Sequence, residues 1–186
     1  MQTVVQRRGL AIVALTSLAY LATFELNNAL FSNTQFSSGT HYVFLPSGLR
    51  LVFVLVFIEQ GAIGIACGTA LIAYQGMQAP GFVAVAMPAL ISGFSPWLAR
   101  LICVDKLGLD VALARMSAQT LIKCAGIFAI TSALLHQVWY FWQGQTANFL
   151  QSTVVMAVGD LTGTILVLYA VKGLLTLLPR NLFERR

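Results

Sequence analysis

Six long runs of apolar residues follow one another along the chain and limit what it can fold into. They cover roughly residues 9–30, 44–58, 61–75, 80–103, 119–141 and 151–174. The longer runs reach the ~20 apolar residues that a helix needs to cross the hydrocarbon core of a bilayer. Charged residues make up only 9% of the chain, against ~25% in a soluble domain. The sequence therefore predicts an all-α integral membrane protein, with residues 1–186 forming a single transmembrane domain.

The positions of the basic residues favour six spans. With six spans and a cytoplasmic N-terminus, ten of the eleven Lys and Arg residues fall at or near the cytoplasmic face, and the eleventh is Arg50. Cytoplasmic loops of membrane proteins are enriched in Lys and Arg. A single span over residues 44–75 would instead move Lys106 and the basic C-terminus to the outside. We therefore expect a bundle of about six transmembrane helices with both termini cytoplasmic.

Residues 44–75 are expected to form a short, glycine-broken hairpin. Their two apolar runs are separated by Glu59-Gln60-Gly61. A helix of fifteen residues, the length of each run, spans only about 22 Å, which is less than the ~30 Å of the hydrocarbon core. Whether the hairpin crosses fully or is partly re-entrant stays open. Glycine pairs spaced by four residues, Gly64/Gly68 and Gly159/Gly163, favour close helix packing.

Ionisable residues within the apolar runs indicate a polar cup that opens to the outside. Glu25, Arg50 and Asp160 all map to the outer half of the bundle, where each unpaired charge costs roughly 2.5–3.5 kcal/mol. Because a guanidinium can form two parallel hydrogen bonds with a carboxylate, Asp160 is the preferred partner of Arg50, followed by Glu25. The residues predicted to line the cup are Glu25, Asn28, Ser47, Arg50, His136, Gln137, Asp160 and Thr162.

Three interpretations of this cup remain open from the sequence. It can be an ion pair that only fixes the order of the helices, because polar contacts between membrane helices often serve packing alone. It can bind a small ligand, since ionisable residues within a membrane usually have a function. It can also form a proton path that uses Glu25 and Asp160.

The sequence lacks the motifs of several other classes of protein. It contains no P-loop, GxSxG or HExxH motif, and we predict no catalytic residue and no enzyme. His41 and His136 are the only histidines, so neither a metal site nor any other cofactor is expected. The net charge of +5 includes no Lys/Arg cluster longer than two residues, so no nucleic-acid partner is predicted. The three cysteines lie in apolar runs and are expected to be buried thiols.

Two stretches resemble the MASE-type membrane-associated sensor domains of bacterial signalling proteins. The first is Phe44-Leu-Pro-Ser-Gly-Leu-Arg50 with the following Gly61–Gly68 segment, and the second is Gly159-Asp-Leu-Thr-Gly163. In that family a Pro-x-Gly opens the second span, a short glycine-bearing hairpin follows, and an Asp-x-x-Gly lies in a late span. The resemblance implies a sensing role in the bacterial inner membrane, with Pro46, Gly48, Asp160 and Gly163 at matching positions.

These observations lead to one main functional hypothesis and two alternatives. Because the chain ends at Arg186 without the output domain that usually follows such sensors, we expect the signal to pass to a separate membrane or cytoplasmic protein. The main hypothesis is a sensor-like module that binds a small molecule in the outer cup. The alternatives are the substrate-binding subunit of a vitamin-type transporter, and a membrane scaffold without a ligand.

Overall fold

The protein, described here by a computed structural model, is a bundle of long helices. The structure describes residues 2–37, 39–76, 81–108 and 117–177. Five helices within these ranges are long and apolar enough to cross a membrane, which confirms the all-α membrane class. The elements are α1 (Gln2–Phe31), a 3-10 turn (Ser32–Thr34), β1 (Gln35–Ser37), β2 (Thr40–His41), α2 (Pro46–Gln75), α3 (Phe82–Leu107), α4 (Ala118–Trp142) and α5 (Phe149–Leu177).

Local chemistry explains several helix boundaries. Pro46 begins α2. Its fixed φ suits the first turn of a helix, where an N–H group would have no intrahelical acceptor. Ser117 caps α4, because its hydroxyl accepts a hydrogen bond of 3.1 Å from the backbone N–H of Thr120. Gly108 ends α3 in the left-handed conformation, with φ of 62°. The basic C-terminal stretch 178–186 lies outside the described residues.

Helix α2 is interrupted in its middle. Ile58 has φ of 49° and ψ of −113°, a conformation that a β-branched residue rarely adopts. Three residues later, Gly61 lies directly against the backbone of Phe53, where a Cβ atom would collide. The break lies next to Glu59-Gln60-Gly61, the three residues that separate the two apolar runs of residues 44–75. Helical structure continues on both sides of this break, so Pro46–Gln75 forms one interrupted helix. The described residues therefore contain five span-length helices, where the sequence predicted six.

Helix α2 lies at the centre of the bundle. It packs against α1, α3 and α5, while α4 packs between α3 and α5. One apolar cluster joins Leu51 and Leu55 of α2 to Cys103 of α3 and to Cys124 and Phe128 of α4. Large apolar side chains are exposed around the outside of the bundle, the surface that a bilayer would cover.

The loops after α1 and α4 meet at the same end of the bundle, which we call the loop end. The segment after α1 forms a small antiparallel sheet in which Gln35 pairs with His41, and this sheet packs against α5. Gly39, with φ of 70°, lies against the ring of Tyr140 near the end of α4. The segment between α1 and α2, residues 32–37 and 39–45, is therefore folded onto the loop end, and we call it the cap. The sequence did not indicate this folded segment.

Candidate functional site

A cavity of about 560 Å³ lies at the loop end. Its volume falls within the 300–1,000 Å³ that is usual for small-molecule sites. All five helices and both loops contribute to its wall, through Tyr20, Phe24, Asn28, Gln35, Gly39, His41, Phe44, Arg50, Thr69, Ile72, Ala73, Gly76, Ala84, Pro88, Ser92, His136, Trp139, Tyr140, Gln143, Gln145 and Met156. Glutamine and glycine residues of the loops contribute to this wall, and the helices contribute aromatic and hydroxyl side chains.

The segment between the small sheet and α2 is held in place by hydrogen bonds to two helices. The side-chain oxygen of Asn27 on α1 accepts a hydrogen bond of 2.8 Å from the backbone N–H of Leu45. The carbonyl oxygen of Gly159 on α5 accepts one of 3.2 Å from the N–H of Phe44. Gly159 and Gly163 lie directly against this part of the chain, and a Cβ atom at either position would collide with its backbone. The sequence predicted that both glycines allow a helix to approach closely. Gly159 instead lies against the backbone of β2, whereas Gly163 lies against the start of α2 at Leu45 and Gly48.

Gln137 joins both loops to α4. Its side-chain N–H donates to the hydroxyl of Thr40 at 2.8 Å, and its carbonyl oxygen accepts from the hydroxyl of Thr146 at 2.9 Å. Gln137 and Thr40 are fully buried. Gln137 was predicted to line the cup, but it lies behind the cavity wall because both ends of its amide bind loop residues.

Arg50 lies at the inner end of the cavity within a cage of neutral oxygen atoms. Its Nε donates to the carbonyl oxygen of Ser92 at 3.3 Å. Its Nη2 donates to the hydroxyls of Ser95 at 2.7 Å and Ser132 at 3.2 Å. The guanidinium carbon lies 5.2 Å from the ring centroid of Phe128, within reach of a cation–π interaction. Helices α3 and α4 therefore hold the guanidinium in one orientation.

His136 takes part in the same network and its tautomer follows from its partners. Its Nδ1 lies 2.8 Å from the carbonyl oxygen of Ser132, which can only accept a hydrogen bond. Nδ1 therefore carries a proton. The other nitrogen, Nε2, lies 3.1 Å from the hydroxyl of Ser92 and accepts from it when the imidazole is neutral. The wall of the cavity thus presents a histidine that contacts two of the serines that bind the guanidinium.

Asp160 does not form the predicted pair of hydrogen bonds with Arg50. It is buried, and both of its carboxylate oxygens lack a hydrogen-bond partner in the structure. Its backbone carbonyl oxygen accepts from the hydroxyl of Ser47 at 2.7 Å and from that of Thr164 at 2.7 Å. Serines of α3 and α4 bind Nε and Nη2 of the guanidinium instead.

The predicted cup residues divide into two groups. Asn28, Arg50 and His136 line the cavity, whereas Ser47, Gln137, Asp160, Glu25 and Thr162 do not. Glu25 is exposed and lies in a second, smaller hollow beside Phe24, Ile72, Gln75 and Gly76. Ser47 is buried between α2 and α5, and Thr162 is half-buried on α5.

Hydroxyl and aromatic residues that the sequence analysis did not select complete the site. Ser92 and Ser95 are three residues apart on α3, and Ser132 and His136 are four apart on α4. Both spacings place the two side chains on one face of a helix. This spacing is the signal that would have identified Ser92, Ser95 and Ser132. Tyr20, Thr69, Trp139 and Tyr140 also line the cavity.

His41 is the titratable group of the cap. Its ring stacks on Phe44 with centroids 5.5 Å apart, and its Nδ1 is buried without a hydrogen-bond partner. Burial lowers the pKa of His41 from its ordinary value of 6.5, because the charged form loses hydration. The cap is therefore built around a neutral imidazole.

No protein-family model, curated protein or solved structure matches this chain.

Proposed function

We propose that the protein is a multi-pass membrane module that binds a small solute in the loop-end cavity and passes the binding signal to a separate partner. The observation that carries this proposal is Arg50: a buried guanidinium on the wall of a 560 Å³ cavity. Charged groups at bilayer depth are costly and usually functional. The cap and the aromatic walls supply an enclosure with a few polar groups, as in other ligand sites.

Contacts support the inference that residues 46–75 run away from the loop end and then return to it. Leu45 lies beside Asn27, near the end of α1 that leads into the cap. Leu55 packs with Cys103, which lies near the opposite end of the bundle, close to the C-terminal end of α3. After the break at Ile58, Gly64 lies against Thr16, and Gly68 lies against Tyr20 on α1. A straight helix would separate Phe53 and Gly61 by about 12 Å, yet the two are in contact. We therefore retain six membrane-crossing segments as part of the proposal.

An even number of segments would put both termini on one side. The positive-inside rule then assigns that side to the cytoplasm and the loop end to the outside. The resemblance of Phe44–Arg50 and Gly159–Gly163 to MASE-type domains supports a bacterial inner membrane and a sensing role. A ligand would shift the protein between conformations only if it binds one of them better, and the break at Ile58 is a candidate for the part that moves.

Closing the cavity with a larger side chain tests this function. Ala73 lines the cavity, so Ala73→Phe fills it, whereas Ala14 is exposed on α1 and Ala14→Phe is the matched control. We expect a library of small polar and amphipathic compounds to contain hits that raise the melting temperature of purified wild type and Ala14→Phe, but not of Ala73→Phe. If no compound stabilises wild type, or if Ala73→Phe responds equally, the protein is better explained as a scaffold.

A further inference from the structure

We infer that the ligand of the cavity is a small monoanion whose carboxylate is bound by Arg50. This inference rests on the proposed function and specifies the chemical class of its ligand. It depends on three features of the site: the lack of an acidic hydrogen-bond partner for Arg50 among the described residues, the free nitrogen of its guanidinium, and the aromatic walls.

The positive charge of Arg50 has no hydrogen-bonded counter-ion in the described ranges of the chain. Its partners are one carbonyl oxygen and two serine hydroxyls, all of them neutral. The neighbouring acid, Asp160, forms no hydrogen bond through either carboxylate oxygen. A buried charge is costly unless it is paired. An anion that enters the cavity would supply a hydrogen-bond partner of opposite charge.

One nitrogen of the guanidinium is free to bind such an anion. Nε and Nη2 form the three hydrogen bonds of the serine cage. Nη1 has no partner within residues 2–37, 39–76, 81–108 and 117–177, and it is not among the unpartnered side-chain atoms that are sealed from solvent. Because Arg50 lines the cavity, its free donor is available to an oxygen atom of a ligand.

The other polar groups nearby suit a carboxylate. His136 donates to the carbonyl oxygen of Ser132 and, in its neutral form, accepts from Ser92, which engages the proton of Ser92. Tyr20 also lines the cavity, and its phenol can donate a hydrogen bond to a second oxygen. No described Lys or Arg other than Arg50 lines the cavity. Arg50 is therefore the one described basic residue on the cavity wall, and the acid Asp160 is its neighbour. A monoanion fits this balance of charge better than a dianion such as a phosphate monoester does.

The body of the ligand is expected to be apolar. Phe24, Phe44 and Trp139 line the cavity together with Arg50. Aromatic side chains contribute large apolar surfaces and favour stacking with flat rings. The combination predicts an amphipathic acid with an aryl or short alkyl body.

Matched pairs of acids and amides test this inference. The probes are benzoate, 3-phenylpropanoate, hexanoate and octanoate, each compared with its primary amide on the full chain in lipid nanodiscs at neutral pH by calorimetric titration. We expect at least one acid to bind wild type on the order of tenfold or more tightly than its amide. Arg50→Lys should weaken that acid on the order of tenfold, because a lysine loses the planar donor geometry. Amide binding should change little.

Two further variants keep the result interpretable. Asp160→Asn preserves the shape of its residue and removes the neighbouring acid, so binding of the acid should be retained or tightened. Ala73→Phe should abolish it, which excludes partition into the lipid. Equal binding of acids and amides, or acid binding unaffected by Arg50→Lys, overturns the inference. If neutral compounds bind and Ala73→Phe blocks them while no acid binds, the monoanion is wrong and the proposed function stands. If nothing binds, both fail.

Discussion

Arg50 illustrates how far single residues can be interpreted from the sequence. Its depth in an apolar run predicted a buried, partnered charge, and the structure confirms the burial. The predicted partner was an acid, because carboxylates are the strongest partners for a guanidinium. The structure uses Ser92, Ser95 and Ser132 instead. Serines are common in membrane helices, so their presence in apolar spans gives little warning that three of them converge on one cation.

Acidification is expected to loosen the cap through His41. Burial lowers the pKa of His41 below 6.5 in the folded cap. His41 therefore binds a proton more readily when the cap is unfolded than when it is folded. Stability is therefore fully present above pH ~6.5 and is lost progressively as the pH falls through this value, until the folded state itself takes up the proton. The melting temperature of wild type should fall between pH 7.5 and 5.5 by more than that of His41→Asn, in nanodiscs with matched buffers. Parallel melting curves for the two proteins would contradict a buried neutral His41.

At the scale of elements, the long helices were predictable and the cap was not. Apolar runs and prolines determine where the helices lie, and the interruption of α2 at Ile58 falls beside a glycine that the sequence marks. The predicted close packing at Gly64 and Gly68 is confirmed, since both lie against α1. The cap depends on pairs distant in sequence, such as Gln137 with Thr40. Neither residue carries a periodic signal that would indicate such a pairing.

The cap should depend on the two glycines of α5 that contact it. A Cβ at Gly159 would collide with the carbonyl oxygen of His41, and one at Gly163 with that of Phe44. We expect Gly159→Ala and Gly163→Ala each to destabilise the protein by about 1–3 kcal/mol, measured by unfolding in mixed micelles of increasing SDS fraction. Gly126→Ala is the matched control, because no atom lies within 4 Å of its Cβ position. It should be neutral or stabilising by roughly 0.5–1 kcal/mol, and equal losses in all three variants would contradict the packing of the cap against α5.

At the scale of the whole molecule, the charge pattern and the helix contacts support the same arrangement from independent directions. The positive-inside rule favours six segments because it keeps Lys106 and Arg115 on the same side as Arg7. The contacts favour it because the second half of α2 runs alongside α1 toward the loop end. The number of span-length helices alone is five, because helical structure continues on both sides of the break at Ile58.

The two counts place the connections on different sides, which makes them separable by labelling. In a variant with all three native cysteines replaced, single cysteines are introduced at exposed positions by Asn33→Cys, Gln75→Cys, Gln145→Cys, Ser117→Cys and Arg8→Cys. Six segments require that Asn33→Cys, Gln75→Cys and Gln145→Cys react with an impermeant maleimide from one side. Ser117→Cys and Arg8→Cys should then react only from the other. Five segments would instead put Asn33→Cys and Gln145→Cys on opposite sides, and that result would remove the hairpin together with the outward-facing cavity, because the cavity needs both loops at the same end.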